Sequence, residues 1–561
     1  MRAAGPGGAG KVPERRNCIS IAGMSEETYD YIVIGAGTAG SVVAGRLSEN
    51  GRFRVCVLEA GPPDRNPFIH IPAGVLYTLR NPAINWMYKG VGSPGLDGRA
   101  IDHARGKTLG GSGSINGHIY NRGHRTDFDD WAAMGNRGWG YDDVLPYFRK
   151  SEDKIGAGDA GYHGTGGPFT ITDIDQPDPL CDAFIRGAVS LGVPANPDYN
   201  GRVQEGIAYA QRSVHRGRRV SPARAFLYPA MKRGNTRVIT NAHVERIVIE
   251  NRRATGVRVR IGGRDAPEQT IRAGREVILC AGAIASPQML QLSGIGSGDH
   301  LQSIGVPVVH ALPGVGRNLR DHYAVRSVVR IRNLRTINER ARGLPLLREV
   351  IDYAFTRRGA LALTPTLVYC FWKSDERLAR GDIQLTFTPA SYPGGVQSGL
   401  HEFPGATVAC WQQRPASAGH VLATSPDPFA HPAIQANFLG EAEDRRILLA
   451  AMRLSRRILE SESFKPYVAE ELWPGADRRS DEALLDHARR TGNTAYHPMG
   501  TCRMGPSTRD DTVVDDALRV HGIDGLRVAD ASIMPMIPSA NLNASALMIG
   551  EKAADMVAAA A

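Results

Sequence analysis

The sequence predicts an α/β fold with a Rossmann-like dinucleotide-binding domain and a second domain of the α+β class. A glycine-rich turn, GAGTAG at 35–40, stands between an apolar β-branched run and a helical stretch. Strand-to-helix units then recur in the middle and near the end of the chain. With 561 residues, the chain is also much longer than the ~150 residues of one typical domain.

The first unit is predicted to be strand, turn, helix and strand. The buried strand Tyr31–Ile34 leads through the turn into a helix that ends near Leu47, and a second β-branched run, Arg54–Leu58, closes with Glu59. An acidic residue at the end of the second strand is typical of dinucleotide-binding βαβ units.

Each glycine of the turn has a physical reason in such a unit. Gly35 permits the tight turn, Gly37 lets the backbone approach a pyrophosphate, and Gly40 allows close helix packing. The helix N-terminus faces the phosphates, and Glu59 accepts hydrogen bonds from a ribose. The residues predicted to contact the dinucleotide here are Gly35, Gly37, Thr38, Ala39, Gly40 and Glu59.

The later units make the dinucleotide-binding domain discontinuous in sequence. They consist of the strand Glu276–Cys280 before the helix Ala283–Leu292, and the strand Leu526–Asp530 before the helix Ala544–Ala559. We expect a disordered leader at 1–28, the dinucleotide-binding domain at 29–167, 211–313 and 489–561, and the substrate-binding domain at 168–210 and 314–488. The second domain is predicted to contain an amphipathic helix with the apolar stripe Ile447, Ala451, Leu454 and Ile458.

Composition and charge narrow the class of protein. The net charge is +10, and the densest basic segment is the arginine-rich run from Arg212 to Arg224. This run lacks interleaved aromatics, so we interpret it as a solvated surface and expect no nucleic-acid partner. The seven cysteines form no C-x-x-C pair or metal-ligand cluster, so we expect neither disulfides nor a metal. Without a long apolar stretch, the chain is expected to be cytoplasmic, with peripheral membrane contact left open.

Two more segments point to chemistry. Gly106–Gly117, GKTLGGSGSING, is glycine-dense and can bring backbone N–H groups against a cofactor. His497 begins HPMGTCRMG, and Asn541 follows in PSANLN. Histidine titrates near neutrality and can act as a base, although one histidine among 16 carries little weight by itself.

Together with GAIASPQMLQLSGIG at 282–296, these segments resemble the glucose–methanol–choline (GMC) oxidoreductase family from about Tyr29 to the C-terminus. The sequences of these motifs are most similar to those of bacterial choline-dehydrogenase-like and acceptor-dependent alcohol dehydrogenases. The resemblance implies FAD as cofactor, His497 as the active-site histidine and Asn541 as its partner. It also places Gly110, Gly111, Asn116 and Gly117 at the diphosphate and flavin ring, Val244 near the adenine, and Asp530 and Ala531 near the ribityl chain.

The expected reaction is oxidation of a primary alcohol to an aldehyde. Removal of the hydroxyl proton by His497 favours departure of a hydride from the alcohol carbon to flavin N5, while Asn541 donates to the developing alkoxide. The electron acceptor is oxygen, a quinone or a protein. Two alternatives stay open: a flavin-containing lyase of the same fold that cleaves a cyanohydrin, and an NAD-dependent dehydrogenase.

This chain departs from the family pattern at two positions. Choline-acting relatives carry a glutamate where Leu367 stands here, so a quaternary cation lacks its counter-charge and choline is doubtful. An apolar or aromatic primary alcohol fits a pocket formed by Leu367, Tyr369 and Phe371 better. Some relatives hold FAD covalently through a histidine where this chain has Ile115, so noncovalent FAD is expected.

Overall fold

Two large β-sheets organise the protein, and the cavity described below lies between them. The computed structural model describes residues 27–395 and 398–561. The predicted leader lies outside this part of the chain as far as residue 26, whereas Thr28 already belongs to the first strand.

The strands of the described residues are β1 (Thr28–Ile34), β2 (Val55–Leu58), β3 (Glu152–Ile155), β4 (Phe169–Thr172), β5 (Gly206–Tyr209), β6 (Val214–His215), β7 (Arg218–Arg219), β8 (Thr236–Ile239), β9 (Ala242–Glu250), β10 (Arg253–Ile261), β11 (Glu268–Leu279), β12 (Ile295–Gly296), β13 (His310–Ala311), β14 (Tyr323–Ile331), β15 (Val368–Trp372), β16 (Ile383–Thr388), β17 (Gly405–Gln412), β18 (His420–Leu422), β19 (Ala433–Gln435), β20 (Val468–Trp473), β21 (Asn493–Thr494) and β22 (Leu526–Val528).

The helices of the same residues are α1 (Thr38–Leu47), α2 (Pro67–His70), α3 (Val75–Thr78), α4 (Arg125–Ala133), α5 (Tyr141–Ser151), α6 (Pro179–Ser190), α7 (Tyr228–Lys232), α8 (Gly282–Leu292), α9 (Gly298–Ser303), α10 (Ile337–Arg340), α11 (Gly343–Thr356), α12 (Ala442–Leu459), α13 (Asp481–Thr491) and α14 (Asn543–Ala559). None of them is both long enough and apolar enough to pass through a lipid bilayer.

The first sheet is a Rossmann-like sheet with an antiparallel extension. Its strands follow the order β8-β2-β1-β11-β10-β9, and β22 pairs with β11. Neighbouring strands from β8 to β11, and β22 beside β11, run parallel, whereas β9 and β10 are antiparallel. The central segments Ile32–Ile34, Val55–Leu58 and Val277–Leu279 are apolar and buried, since α1 covers β1 and β2 and α14 packs on α1. This confirms the α/β fold class.

The second sheet has the order β20-β14-β17-β16-β15-β5, with β21 beside β14, and its pairs are antiparallel. Helix α12 packs against β16 and β17. The predicted stripe Ile447, Ala451, Leu454 and Ile458 is buried there, which confirms the amphipathic helix. Strand β21 belongs to this second sheet, because its two residues pair with the start of β14. The sequence analysis assigned this part of the chain, within 489–561, to the dinucleotide-binding domain.

Candidate active site

The turn between β1 and α1 is built as a phosphate cradle. Gly35 has a φ of +97°, and a Cβ there would lie 2.6 Å from the carbonyl oxygen of Cys280. At Gly40 a Cβ would meet the Gly35 oxygen at 2.0 Å, so both positions require glycine for packing. Gly37 differs, because the nearest protein atom to its Cβ would be 3.9 Å away and the position lines the cavity.

The open space at Gly37 therefore faces a ligand. Gly37 is the N-cap of α1 and provides no side-chain cap for the first helical N–H groups. Uncapped N–H groups and the positive end of the helix macrodipole form an anion site. Thr38 and Ala39 of the first turn also line the cavity, whereas Gly40 lies behind it.

Glu59 follows β2 at the edge of the same cavity. Its Oε2 accepts from the Ala36 N–H at 3.0 Å and its Oε1 accepts from the Gly61 N–H at 2.9 Å. Burial raises the pKa of Glu59 to about 7, although the two N–H donors oppose the shift. Each carboxylate oxygen keeps a lone pair, so ribose hydroxyls can donate to it. Val244 on β9 also lines this part of the cavity.

The second glycine loop packs directly against the first. A Cβ on Gly111 would lie 2.7 Å from the Gly37 Cα, so the two turns require glycine at their contact. Gly111, Asn116 and Gly117 line the cavity, but Gly110 does not. Gly110 instead has a φ of +83°, and a Cβ there would meet the Ser114 hydroxyl at 2.3 Å.

The buried side chain of Arg219 forms hydrogen bonds with the 106–117 loop. Its buried guanidinium donates to the side-chain oxygen of Asn116 at 2.6 Å and to the Asn116 carbonyl at 2.8 Å. Arg212 is buried too and pairs with Asp175 at 2.9 Å. The interpretation of the whole arginine-rich run as a solvated surface is therefore wrong for these two residues, because both are buried and both donate to backbone carbonyls.

Asp530 stands beyond the carboxyl end of β22, where the parallel strands meet the cavity. Its Oδ2 accepts from the Gly282 N–H at 2.8 Å and from the Ser286 hydroxyl at 2.6 Å. The carboxylate thereby ties β22 to the start of α8. Ala531 lies beside it on the cavity wall.

His497 and Asn541 meet in the same cavity. Asn541 lies two residues before the start of α14. Its amide Nδ2 donates to His497 Nε2 over 2.9 Å. Burial, the neighbouring His322 and Arg105 hold the pKa of His497 well below its usual range. The imidazole is therefore neutral near pH 7, as a general base must be.

A second histidine sets the tautomer of His497. His322 Nε2 lies 2.7 Å from the carbonyl oxygen of Gln413, which can only accept, so Nε2 carries the proton. His322 Nδ1 is then the acceptor for His497 Nδ1–H at 2.9 Å. Burial lowers the pKa of His322 to about 4, which keeps it neutral. The lone pair of His497 is therefore on Nε2, the atom beside Asn541.

The neighbouring Asp321 holds the backbone of this loop. Its Oδ1 accepts from the His497 N–H at 2.8 Å, and Oδ2 accepts from the Thr494 hydroxyl. Sequence reasoning missed Asp321, His322 and Gln413. The adjacent acid and histidine in NLRDH, just before a β-branched run, were the signal that could have found the first two.

One face of the second sheet forms the wall opposite the cradle. It contributes Ala324, Arg326, Tyr369, Thr386, Thr388, Thr407, Ala409 and Trp411, and the cavity has a volume of about 400 Å³. The Trp411 and His497 ring centroids are 6.4 Å apart. The other lining residues of β16 and β17 are small, namely Thr386, Thr388, Thr407 and Ala409, and they leave space in the cavity beside Trp411.

Two of the three predicted pocket residues lie elsewhere. Tyr369 lines the cavity, but Leu367 and Phe371 do not. Leu367 precedes β15, so strand alternation does not orient it, and its side chain joins the apolar core of the second sheet. Phe371 is covered by Tyr199, with ring centroids 5.2 Å apart. Only Tyr369 of this set can contact a substrate directly.

The cavity thus combines a dinucleotide cradle with a neutral histidine, and its residues fit FAD. The described residues hold no group of three or more potential metal ligands. Comparisons with solved structures agree with this assignment. A pyridoxine 4-oxidase from Mesorbium loti is 31% identical, with a TM-score of 0.84 over 94% of this chain and 98% of that chain. A formate oxidase is 29% identical, with a TM-score of 0.88 over 96% and 99% of the respective chains.

Sequence relatives cover nearly the whole chain. An oxygen-dependent choline dehydrogenase from Cronobacter sakazakii is 42% identical over 94% of this chain and 95% of its own length. Another, from Staphylococcus saprophyticus, is 39% identical over 95% of both chains. The family models for the GMC oxidoreductases match residues 29–324 and 415–550. With the cradle and the histidine already in place, these matches show that the chain belongs to the GMC oxidoreductase family and is an FAD-dependent oxidoreductase.

Proposed function

We propose that the protein oxidises a primary alcohol to an aldehyde, with His497 as the base. The observation that carries this proposal is the unprotonated Nε2 of His497, which lies beside Asn541 in the cavity that also contains the dinucleotide cradle. A base and a redox cofactor that share one cavity can act on the same carbon.

The protein residues perform the proton chemistry. The substrate hydroxyl donates to His497 Nε2, which takes its proton, and the resulting alkoxide character weakens the C–H bond. Asn541 Nδ2 donates to the same oxygen and stabilises its negative charge. The contact with His322 keeps the imidazole oriented for this step. Bound FAD supplies the hydride acceptor, the flavin N5 atom.

FAD is proposed to bind without a covalent bond. Ile115, at the position where some relatives have a histidine, is buried and aliphatic. The nearby His118 has both ring nitrogens within hydrogen-bond distance of backbone carbonyls, those of Asn116 and Pro72. Acid precipitation of the purified protein should leave the yellow flavin in the supernatant. Flavin that stays in the pellet would contradict this proposal.

The alcohol is proposed to be something other than choline. The acidic residues of the described chain that line the cavity are Glu59 and Asp530, and both lie at the cradle. A quaternary ammonium group near Tyr369 and Trp411 would therefore have no carboxylate partner. Aromatic and small side chains there suit an aromatic body.

The decisive experiment is anaerobic mixing of the holoenzyme with a panel of primary alcohols. An oxidoreductase bleaches the oxidised flavin at about 450 nm and forms an aldehyde, whereas a cyanohydrin lyase leaves the flavin yellow. Readmission of air then separates the proposed acceptors, because only an oxidase is rapidly reoxidised by oxygen. Failure of every alcohol to bleach the flavin would overturn the proposal.

A further inference from the structure

Arg326 occupies the wall of the cavity opposite the cradle. It lies on β14, four residues after His322, and its side chain lines the cavity. Strand pairing places Arg326, Ala409, Thr386 and Tyr369 in one row across β14, β17, β16 and β15. Because the two residues between are small, the space between Arg326 and Tyr369 is open to a ligand.

The guanidinium of Arg326 has no acidic partner among residues 27–395 and 398–561. Burial lowers the pKa of Arg326, and the groups that oppose this shift are Tyr496, Tyr392 and Tyr323, together with a thiol. Arg326 is half-buried. A half-buried cation without a carboxylate partner is unfavourable, so an anion that reaches it gains free energy.

The other cavity arginine, Arg105, is different. Its guanidinium donates to the carbonyls of Ala104 and Tyr496 at 2.6 and 2.8 Å, and the nearby Asp321 carboxylate stabilises its charge. Arg105 therefore has its partners within the protein. Arg326 is the cavity arginine that forms no ion pair with a carboxylate in the described part of the chain.

We propose that the substrate is a primary alcohol that also carries a carboxylate, an inference that rests on the proposed function. Arg326 binds the carboxylate in a bidentate pair, while the hydroxyl at the other end of the molecule reaches His497. The carboxylate stays unchanged, and the reaction at the alcohol carbon is the one proposed above. Arg326 is thus a specificity residue that favours anions and repels cations.

The test uses three para-substituted benzyl alcohols that differ in charge: 4-(hydroxymethyl)benzoate, 4-(hydroxymethyl)benzamide and the 4-trimethylammonio analogue. We expect kcat/KM for flavin reduction to fall in that order. The value for the anion should be at least about tenfold higher than that for the amide, a difference of ~1.4 kcal/mol. In Arg326→Gln the anion should lose this advantage while the amide changes little. Arg326→Lys keeps the positive charge but cannot form the bidentate pair, so it should retain part of the advantage of the anion.

A binding measurement makes the inference independent of turnover. Benzoate, which has no alcohol to oxidise, should perturb the flavin spectrum of the wild-type holoenzyme and bind at least about tenfold more weakly to Arg326→Gln. Equal loss for all three alcohols, or a wild-type preference for the amide or the cation, overturns the inference. If no alcohol bleaches the flavin, the proposed function fails, and benzoate binding alone then decides whether Arg326 is an anion site.

A second inference comes from the outer surface. Helix α11 presents an apolar face to solvent, on which Leu344, Leu347, Ile351 and Phe355 are 82%, 55%, 49% and 86% exposed. Their spacing of three, four and four residues puts them on one side of the helix. Tyr353 is the buried residue of the helix, so α11 packs on the protein by its other side.

Arginines surround this face. Arg348 is 87% and Arg358 is 70% exposed. The Tyr353 hydroxyl donates to the Gly217 carbonyl at 2.8 Å, which brings the β6–β7 hairpin and its exposed Arg216 and Arg218 beside α11. The exposed part of the arginine-rich run thus lies beside α11, on the side of the helix that carries Tyr353. Asp352 and Asp175 offset some of this charge.

We infer that α11 docks on an anionic lipid surface. An amphipathic helix with an apolar face and a basic border lies in the interface of a bilayer, and anionic headgroups attract its arginines. The stacked rings of Phe68 and Tyr77 are exposed as well, on a segment whose helix α2 contacts β7.

Vesicle sedimentation tests this docking. The holoenzyme should sediment with phosphatidylcholine vesicles that contain 30% phosphatidylglycerol, and much less with pure phosphatidylcholine. The double variant Leu344→Asp, Phe355→Asp should reduce binding at least about tenfold and keep normal flavin reduction. Val189→Asp, an exposed apolar position on α6, is the matched control and should bind like the wild type.

Two results would overturn the docking inference. One is the absence of sedimentation with anionic vesicles, or equal sedimentation of the double variant. The other is light scattering that shows a wild-type dimer and a monomeric double variant without vesicle binding, because a second copy would then cover α11.

Discussion

At the scale of single residues, the protonation state of His497 follows from its neighbours. Gln413 determines which nitrogen of His322 carries the proton, and His322 in turn determines the tautomer of His497. The unprotonated Nε2 is thus assigned by two hydrogen bonds, and it accepts from Asn541 Nδ2, a hydrogen bond that we propose the substrate hydroxyl replaces.

Removal of the base should separate cofactor binding from chemistry. His497→Ala should keep FAD, since the cradle is formed by other residues, and should lower the rate of alcohol-dependent flavin reduction by about 10²- to 10⁴-fold. Asn541→Ala should cost less, because it removes one hydrogen bond to the oxygen. Stopped-flow absorbance measures both, and near-normal reduction in His497→Ala would remove the proposed role.

The acid limb of the pH profile should lie at low pH. The base works only when neutral, and burial holds the pKa of His497 well below its usual range. As the pH falls, protonation therefore begins only below the ordinary histidine value of about 6.5. With an uncharged alcohol such as benzyl alcohol, kcat/KM should stay constant down to about pH 6.5. A limb centred above pH 7 would contradict this assignment.

At the scale of elements, the turn before α1 assigns different tasks to its glycines. Packing requires Gly40, where a Cβ would lie 2.0 Å from the Gly35 oxygen. Packing does not require Gly37, because its Cβ would meet no protein atom closer than 3.9 Å and its backbone is extended, with a φ of −70°. We therefore propose that a bound ligand requires it.

Alanine substitutions should separate these two tasks. Gly37→Ala should fold with an unchanged Tm of the apoprotein but bind FAD at least about tenfold more weakly. Gly40→Ala should lose ~1–3 kcal/mol of stability from overpacking, whether or not FAD is present. Thermal unfolding of the apoproteins and FAD titration measure the two effects. A Gly37→Ala variant with wild-type FAD content would show that the cradle does not hold the phosphates.

At the scale of the whole molecule, the cofactor cavity joins both sheets. Its wall includes the strand ends of the first sheet, the 106–117 loop and the face of β14 to β17. A ligand that contacts all of these stabilises the folded state by mass action.

FAD should therefore raise the thermal stability of the apoprotein. At a concentration a hundred times its Kd, the gain is about 2.7 kcal/mol, which corresponds to ~2 °C in Tm for a chain of this length. NAD at the same concentration is the control and should produce no rise. A rise with NAD and none with FAD would favour the nicotinamide-dependent alternative over the flavin cradle.

Local patterns in the sequence predicted much of this protein. The GAGTAG turn, Glu59 and the apolar strands predicted the Rossmann-like sheet, because turn geometry and strand burial depend on neighbouring residues. The resemblance of the motifs indicated the family, and His497 and Asn541 do lie in contact. The pocket prediction was less accurate, since Leu367 and Phe371 are core residues.

By itself, then, the sequence determined the fold class, the family and the position of the cradle, all of which are encoded in short continuous segments. Only the tertiary structure decided which side chains surround the substrate and how they are charged. His322 and His497 are 175 residues apart in the chain, and Arg326 faces Tyr369 across three strand pairings. Such contacts depend on strand register and burial between distant segments, which no local pattern records.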